Sequence, residues 1–294
     1  MIDSFTFIKD YRENITLRAS FNDLAASIFG INFEAWCQFG FWTSKYMPYS
    51  FIKDNQVIAN ASVNLIDFVI NKEVKRAVQI GTVMTHPDYR NFGLARKLME
   101  RIIKDYEDVD FLYLFANQSV LDFYPKFGFT ALKETQYSMS FDGNVKDDQK
   151  VKKLHGGNRE DLRFIYEFSQ SGKMVSDIFD TTNTNELLMF YCMYVFPDDL
   201  YSLQSEEAIV LCKHEGSMLH IFDVISAKEP NLKVIIAHLA NGNTRDILFY
   251  FTPDRNIEGL TTAPYQDSNT LFMKYNHKNV SLPTYFKHPI TSQA

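Results

Sequence analysis

The chain has 294 residues, 46% hydrophobic and 15% aromatic, with a formal net charge of −6. That length suits about two domains at roughly 100–200 residues each, and the apolar content excludes a disordered chain. Charge is spread evenly, with 15 basic and 17 acidic side chains in residues 1–142 and 15 and 19 beyond. This argues against nucleic acid or an anionic membrane as main partner and favours a neutral or cationic small molecule. Residues 5–19 alternate loosely and predict an opening strand. Asn22 and Asp23 then lead into a short helix over 24–29, stopped at Gly30. Between Phe33 and Tyr46 stand Trp36, Phe39, Phe41 and Trp42. Such aromatics most often fill a hydrophobic core. Strands follow at 50–52 and 57–59, joined by the turn-forming Lys53-Asp54-Asn55-Gln56. A second turn at Asn71-Lys72-Glu73 separates strands at 63–70 and 77–85.

The organising stretch is 82–97, Thr-Val-Met-Thr-His-Pro-Asp-Tyr-Arg-Asn-Phe-Gly-Leu-Ala-Arg-Lys. An apolar strand enters a short polar turn, and a helix opens at Gly93. Leu94, Leu98, Ile102 and Tyr106 recur every four residues, with Arg96, Lys97, Arg101 and Lys104 on the other side, so the spacing predicts a helix over 93–106. The first-turn N–H groups of such a helix have no internal partner, and its dipole favours negative charge there. Gly93 and Ala95 are small enough to let the backbone approach a phosphate. A short apolar strand at 111–115 would lie parallel to 77–85. A short helix after Asn117, then strands out to about residue 141, complete the first half.

In the second half the pattern predicts a strand at 150–154, a helix capped by Asn158, and a helix over 186–196 opened by Asn183 or Asn185. Strands follow at 201–204, 208–213 and 219–225. A helix over 232–239 and strands at 247–252 and 270–275 come next, an order that parallels the first half. Cys37, Cys192 and Cys212 are widely spaced, with no Cys/His spacing for a metal. The N-terminal residues lack a secretion-signal pattern, and no uncharged apolar run approaches the roughly 20 residues that span a bilayer. The expectation is a soluble cytoplasmic protein with no metal, no nucleic-acid partner and no membrane partner; nothing in the sequence excludes a homo-oligomer.

The run from Val83 through His86-Pro87, Arg90-Asn91-Phe92-Gly93 and Leu94-Ala95 resembles the acetyl-CoA motif of the GNAT superfamily of N-acyltransferases, a strand ending in x-P and then R/Q-x-x-G-x-G/A. Asn117 followed by Phe123-Tyr124-Pro125-Lys126-Phe127-Gly128-Phe129 resembles that family's second signature, N-x6-Y-x3-G-F. The resemblance covers roughly residues 20–140 and departs at Asn91, where glycine is common, and Phe92, where a basic residue is common. It implies an α+β fold: a mixed, mostly antiparallel sheet with splayed parallel strands, flanked by helices. Residues 1–142 would form the acetyl-CoA-binding domain. Residues 143–294 read as a degenerate second copy, because no R-x-x-G-x-A follows the strand at 219–225 and Pro230 stands where the turn would be. Bacterial tandem acetyltransferases of the enhanced-intracellular-survival type look similar in this respect.

The resemblance further implies acetyl transfer from acetyl-CoA to a primary amine of a small molecule or peptide, by direct attack in a ternary complex. Val83, Met84, Thr85, Arg90, Asn91, Phe92, Gly93, Leu94, Ala95 and Asn117 would hold the cosubstrate. Tyr124 would be the general acid, and Trp36, Phe39 and Trp42 would wall the acceptor pocket. The family often places a glutamate as base on the strand at 77–85, where this chain offers only Gln79, Thr82 and Thr85. Asp67, Glu73 and a water relay on Gln79 remain open alternatives, and His86 reads as a loop residue. In tandem relatives the C-terminus can approach the active site, which here would bring His288 or the terminal carboxylate of Ala294 near it, anchored by Phe286 and Ile290. The other functional class is a non-catalytic acyl-CoA-binding sensor or interaction module.

Overall fold

The computed structural model describes residues 5–143, 151–253, 257–277 and 281–294. The first half runs β1 (Thr6–Lys9), α1 (Ile15–Phe29), α2 (Glu34–Gln38), β2 (Tyr46–Lys53), β3 (Gln56–Ile70), β4 (Glu73–Thr85), α3 (Leu94–Asp105), β5 (Phe111–Asn117), β6 (Thr130–Leu132) and β7 (Thr135–Ser140). The second runs β8 (Val151–Leu154), α4 (Arg159–Ser169), β9 (Phe179–Thr182), α5 (Asn185–Tyr194), β10 (Leu200–Leu203), β11 (Ala208–Glu215), β12 (Met218–Ser226), α6 (Leu232–Leu239), β13 (Asp246–Phe249), β14 (Thr261–Pro264) and β15 (Asn269–Tyr275).

Two mixed sheets form, β1-β2-β3-β4-β5-β15-β6 with β9 added beside β3, and β14-β7-β13-β12-β11-β10-β8. Each holds one parallel pair, β4 with β5 and β12 with β13, and each parallel pair is bridged by a helix, α3 or α6. The two sheets fit a duplicated α+β fold with an exchange of strands. β7 lies between β13 and β14 of the second sheet, while β15 lies between β5 and β6 of the first. The expected division at 142/143 therefore does not separate the sheets. Only Lys133 and Glu134 link β6 to β7, and neither takes the positive φ that a two-residue reversal needs, so the chain runs on into the second sheet. The polar break expected just after residue 143 falls on 144–150, outside the described residues.

Both hairpin turns of the first half match the residue chemistry, with Asp54, Asn55, Asn71 and Lys72 all at positive φ. The first helix corrects the sequence reading. It begins at Ile15, not residue 24, because the Asn14 side chain accepts the Leu17 N–H at 3.1 Å and caps it there. Leu17, Phe21, Leu24 and Ala25 then form its buried face, and Gly30 ends it in the left-handed conformation. No α-helix follows Asn117. Two 3-10 turns, Gln118–Val120 and Tyr124–Phe127, take its place, the first capped by the Asn117 side chain. β9 and β14 are strands that the alternation pattern missed.

The core binds the halves together. One cluster joins Phe21, Phe33, Trp36, Trp42 and Tyr46 to Leu154, Leu188, Met189, Cys192 and Phe222. A second packs α3 on β2–β5, and a third packs α6 on the second sheet. All three cysteines are free thiols. Among the described residues, no helix is long and apolar enough to cross a membrane.

Candidate active site

β4 and β5 pair only over Ala77–Gln79 with Phe111–Tyr113. Past Gln79 the strands part, and Ile80–Thr85 face Phe115, Ala116 and Asn117 across a cleft of about 1050 Å³. A bulge bends β4 at this point. The β3–β4 register shifts between Asn60 and Ser62, and Thr82 stands at φ +50°, a conformation that costs a β-branched residue on the order of 1–3 kcal/mol. Buried polar groups hold it. Tyr11 and Ser50 share a hydrogen bond of 2.7 Å, and the Ser50 hydroxyl donates to Asn60 Oδ1 at 2.8 Å. Asn60 Nδ2 donates to Ser62 Oγ and to the Thr82 carbonyl, both at 2.9 Å, while the Tyr46 hydroxyl meets Thr82 Oγ1 at 2.9 Å. On the side away from β3, β4 therefore has no strand partner past Gln79, and this edge faces the opening.

β4 leads into a 3-10 turn, Pro87–Tyr89, in which His86 Nδ1 accepts the Asp88 N–H at 3.3 Å. This gives His86 the loop role expected of it. Asn91 and Gly93 both take positive φ, +66° and +73°. Gly93 caps α3 without a side chain, and the first helical bond is made by Lys97 N–H to the Gly93 carbonyl at 3.1 Å. The N–H groups of Leu94, Ala95 and Arg96 are thus left for an outside acceptor. A Cβ at Gly93 would meet nothing within 4 Å, so the turn lies open. Arg90 and Arg96 line the same end of the cleft. Helix dipole, free N–H groups and two guanidiniums together suit a phosphorylated anion.

Tyr124 lines the cleft, nine-tenths or more buried among Phe123, Phe129 and Phe272. Its hydroxyl has no hydrogen-bond partner among the described residues, and burial pushes its pKa up to about 12. Of the predicted cosubstrate residues, Val83, Met84, Thr85, Arg90, Asn91, Gly93, Leu94, Ala95 and Asn117 all line this one cleft. Phe92 does not; it packs edge-on against Phe5. Of the predicted acceptor residues only Trp36 lines it. Phe39 stacks on Phe41 under Arg159, and Trp42 is core, its indole N–H donating to the Tyr46 carbonyl at 3.0 Å. The spread of aromatics exceeds one wall, and apolar burial takes the rest.

The opposite wall went unread in the sequence, because its parts lie far apart along the chain. Ile28, Phe29, Ile31 and Phe33 from the first half meet Leu187, Phe190, Tyr191 and Val195 from α5 and its end. Phe33 stacks on Phe190 with centroids 5.5 Å apart. The tail 286–294 closes the floor. Gln79, fully buried on β4, donates from Nε2 to Tyr113 Oη at 2.8 Å and to the Ser292 carbonyl at 2.9 Å, and accepts the Ala294 N–H. Both of its amide protons are therefore committed, which removes Gln79 as an anchor for a water relay. The Tyr191 hydroxyl donates to the Gln293 carbonyl at 2.9 Å, and Ala294 packs against Gly81.

His288 does not reach the cleft. It is fully buried beside Phe68, Tyr113 and Phe115, and burial lowers its pKa to about 3, so it is a neutral packing group. Asp67 accepts from Asn183 at 2.7 Å and Glu73 pairs with Lys75 at 2.7 Å, both away from the cleft lining. Among the described residues, no Asp or Glu side chain lines the cleft. Among the described residues, no group of three or more His, Cys, Asp or Glu is placed to hold a metal ion.

A family model described as the acetyltransferase (GNAT) family matches residues 17–129. The chain is 44% identical over 52 residues to an uncharacterized N-acetyltransferase, ycf52, of Gracilaria tenuistipitata var. liui; that stretch is 17% of this chain and only 29% of the relative. Solved structures share the fold over most of the chain. A conserved protein of unknown function from Enterococcus faecalis V583 superposes with a TM-score of 0.58 at 14% identity, covering 92% of this chain and 72% of that one. Eis1 from Mycobacterium abscessus gives 0.57 at 11%, covering 91% and 73%, and a GCN5-related N-acetyltransferase from Kribbella flavida gives 0.55 at 12%, covering 92% and 72%.

Proposed function

We propose that this protein, whose residues 17–129 match the acetyltransferase (GNAT) family model, is an acetyl-CoA-dependent N-acetyltransferase. Its acceptor is a primary amine of a small molecule or peptide, attacking directly in a ternary complex. One observation carries this reading: an uncapped helix N-terminus, a free strand edge and a buried phenol line the same cleft. The cosubstrate supplies an acetyl group activated as a thioester. The first-turn N–H groups of α3, with Arg90 and Arg96, hold its phosphates. The backbone of Val83–Thr85 bonds its amide groups as a neighbouring strand would, and Asn117 lies across the gap.

Tyr124 is the proton donor to the leaving sulfur. Burial keeps the phenol neutral across the physiological range, so a proton is always in place. The phenol is a weaker acid than a thiol, so the proton moves late, as the C–S bond breaks. The amine arrives neutral, or gives its proton to solvent or to the chain-end carboxyl of Ala294, which lines the cleft. Residues 143–294 are read as the degenerate second copy, contributing the α5 wall and the tail.

The lack of an acidic side chain in the cleft favours one other reading, a non-catalytic acyl-CoA sensor. Release of CoA thiol, followed across a panel of amines, separates the two. Acceptor-dependent release supports the enzyme. Tight acetyl-CoA binding with no release above hydrolysis under any amine supports the sensor.

A further inference from the structure

Around the floor and far wall of the cleft the polar side chains are few, and most are engaged within the chain. Tyr46 and Thr82 share a hydrogen bond of 2.9 Å, and the Trp36 indole N–H donates to the Glu186 carbonyl at 2.8 Å. The Tyr191 hydroxyl donates to the Gln293 carbonyl at 2.9 Å. The Gln293 side chain is the exception. It lines the same cleft, and its Nε2 is buried with no hydrogen-bond partner among the described residues. A buried amide donor left unmade is destabilising, so this one calls for a partner from outside the chain. The last torsion of a glutamine side chain has broad wells, and a turn about it brings either end of the amide to the opening.

Position decides which part of a ligand this amide meets. The phosphate end of the cleft belongs to the start of α3, with Arg90 and Arg96. Gln293 stands elsewhere, immediately before Ala294. The Ala294 carbonyl carbon lies 2.9 Å from where a Cβ on Gly81 would stand, just past the point where β4 parts from β5. The chain-end carboxyl of Ala294 is the anionic group on this part of the lining, and it suits an ammonium. Neighbouring Cα atoms are about 3.8 Å apart, so an anion for an amine and a neutral amide stand one residue from each other.

Building on the acetyltransferase reading, we propose that Gln293 is a specificity-determining residue and that the acceptor is an α-amino amide, as at the N-terminus of a peptide. The substrate carbonyl oxygen accepts from Gln293 Nε2, and its amide N–H returns a bond to Oε1. The amine, a few bonds away, lies toward Ala294. A plain alkylamine leaves the buried donor unpaired, and sites built to bond a polar group reject analogues that lack it. A free amino acid brings a second carboxylate up to the first, which is costlier still. In the step itself the amine nitrogen forms a C–N bond to the acetyl carbonyl carbon while the C–S bond breaks. The sulfur leaves with the electron pair, and the proton given up by nitrogen balances the one gained by sulfur. The products are the N-acetylated amino amide and CoA thiol.

The test uses the full chain with acetyl-CoA and follows thiol release with phenylalanine amide, phenylalanine and 2-phenylethylamine at pH 8. All three carry the same aromatic body, so contact with the apolar wall is held constant. The expected kcat/KM is at least tenfold higher for the amide than for either of the others. Gln293→Leu, close in volume but without the amide, should cut the ratio of amide to alkylamine at least tenfold. Both substrates meet the same variant, so their different basicities cancel. No preference for the amide in the wild type overturns the proposal. So does an unchanged ratio in the variant, including an equal fall for both substrates, which would make Gln293 a structural residue. Calorimetry measures acetyl-CoA binding separately, and a tenfold loss of affinity in Gln293→Leu would assign the residue to the cosubstrate instead. Binding by the wild type with no turnover of any of the three overturns the acceptor class alone, whereas no binding overturns the acetyltransferase reading with it.

Discussion

The two parallel strand pairs invite comparison, because sequence order makes them equivalent and their surroundings do not. At the first, α3 opens on Gly93 with no side chain over its N–H groups, and β4 runs past its partner with a free edge. At the second, α6 opens on Asn231, whose side chain accepts the Val234 N–H at 3.2 Å, with Pro230 immediately before it. β12 and β13 also pair over only four residues, Met218–Ile221 with Asp246–Phe249. Beyond them the chain fills its own gap. Ile290 N–H donates to the Tyr250 carbonyl at 3.1 Å, the Thr291 hydroxyl donates to Asp223, and Lys173 N–H donates to the Ser226 carbonyl at 2.7 Å. The same strand pattern therefore yields an open site or a sealed one, depending on whether the helix start and the strand edge are already satisfied. The tail that seals the second gap ends beside the first.

The strongest way to break this comparison is to spoil the open helix start. Gly93→Val introduces a β-branched residue at φ +73° and crowds the N–H groups that would meet a phosphate. Two such charge-assisted bonds at about 1.5 kcal/mol each predict a loss of acetyl-CoA affinity of roughly a hundredfold or more. Calorimetry measures it, and unchanged affinity would remove the turn from the site. Next in size, Tyr124→Phe should lower kcat by roughly a hundredfold with acetyl-CoA binding intact, the usual scale for a positioned acid. A kcat within a factor of two of wild type would reduce Tyr124 to a packing residue.

A smaller effect should come from the junction of tail and strand. A Cβ at Gly81 would lie 2.9 Å from the Ala294 carbonyl carbon, so Gly81→Ala must displace the tail end. Turnover should drop by about tenfold with acetyl-CoA affinity preserved, since the tail floors the cleft and does not touch the helix start. Full activity would free the tail from any part in the site.

The tail carries one buried titratable group, His288, and runs beside another, Asp180, and the two titrate in opposite senses. Burial lowers His288 to about 3 from an ordinary 6.5, so its contribution to stability is lost as pH falls from about 6.5 toward 3. Burial raises Asp180 to about 7 from 3.8, with nearby Asp223 adding to the shift, so its contribution is present at acid pH and lost as pH rises from about 4 to 7. Each slope is at most about 1.4 kcal/mol per pH unit, and between pH 4 and 6.5 they oppose. His288→Phe should leave a protein that loses stability as pH rises through this window, and Asp180→Asn one that gains it. Denaturant midpoints at pH 4.5, 5.5 and 6.5 give the two slopes, and parallel profiles for the two variants would refute the pairing.

The smallest effect sharpens the sealed site. Asn231→Ala should cost roughly 1 kcal/mol of stability, the usual worth of such a cap, and leave the chain binding one equivalent of acetyl-CoA. A second equivalent in wild type or variant would show the second gap is not sealed.

Much of the first half was legible because its signals are local. A hairpin needs residues that tolerate positive φ, and Asp54-Asn55 and Asn71-Lys72 announce two of them. A strand, a proline turn and a glycine before an amphipathic run announce the helix start at Gly93. A cap read too late explains the misplaced start of α1, since Asn14 competes with a loosely alternating stretch that resembles a strand. Phe39 and Trp42 were misread for another reason: an aromatic side chain looks the same in a sequence whether it lines a cavity or fills a core.

The sequence by itself determined most of the regular elements and the open turn at Gly93, because each depends on groups within a few positions of one another. The tertiary structure alone decided that β7 and β15 change places between sheets, that α5 supplies half of the apolar wall, and that Gln79 spends its amide on Ser292 and Ala294. Those outcomes join residues more than a hundred positions apart. Which long-range partner satisfies a buried amide or strand edge depends on the whole packing of the chain, and no local pattern records it.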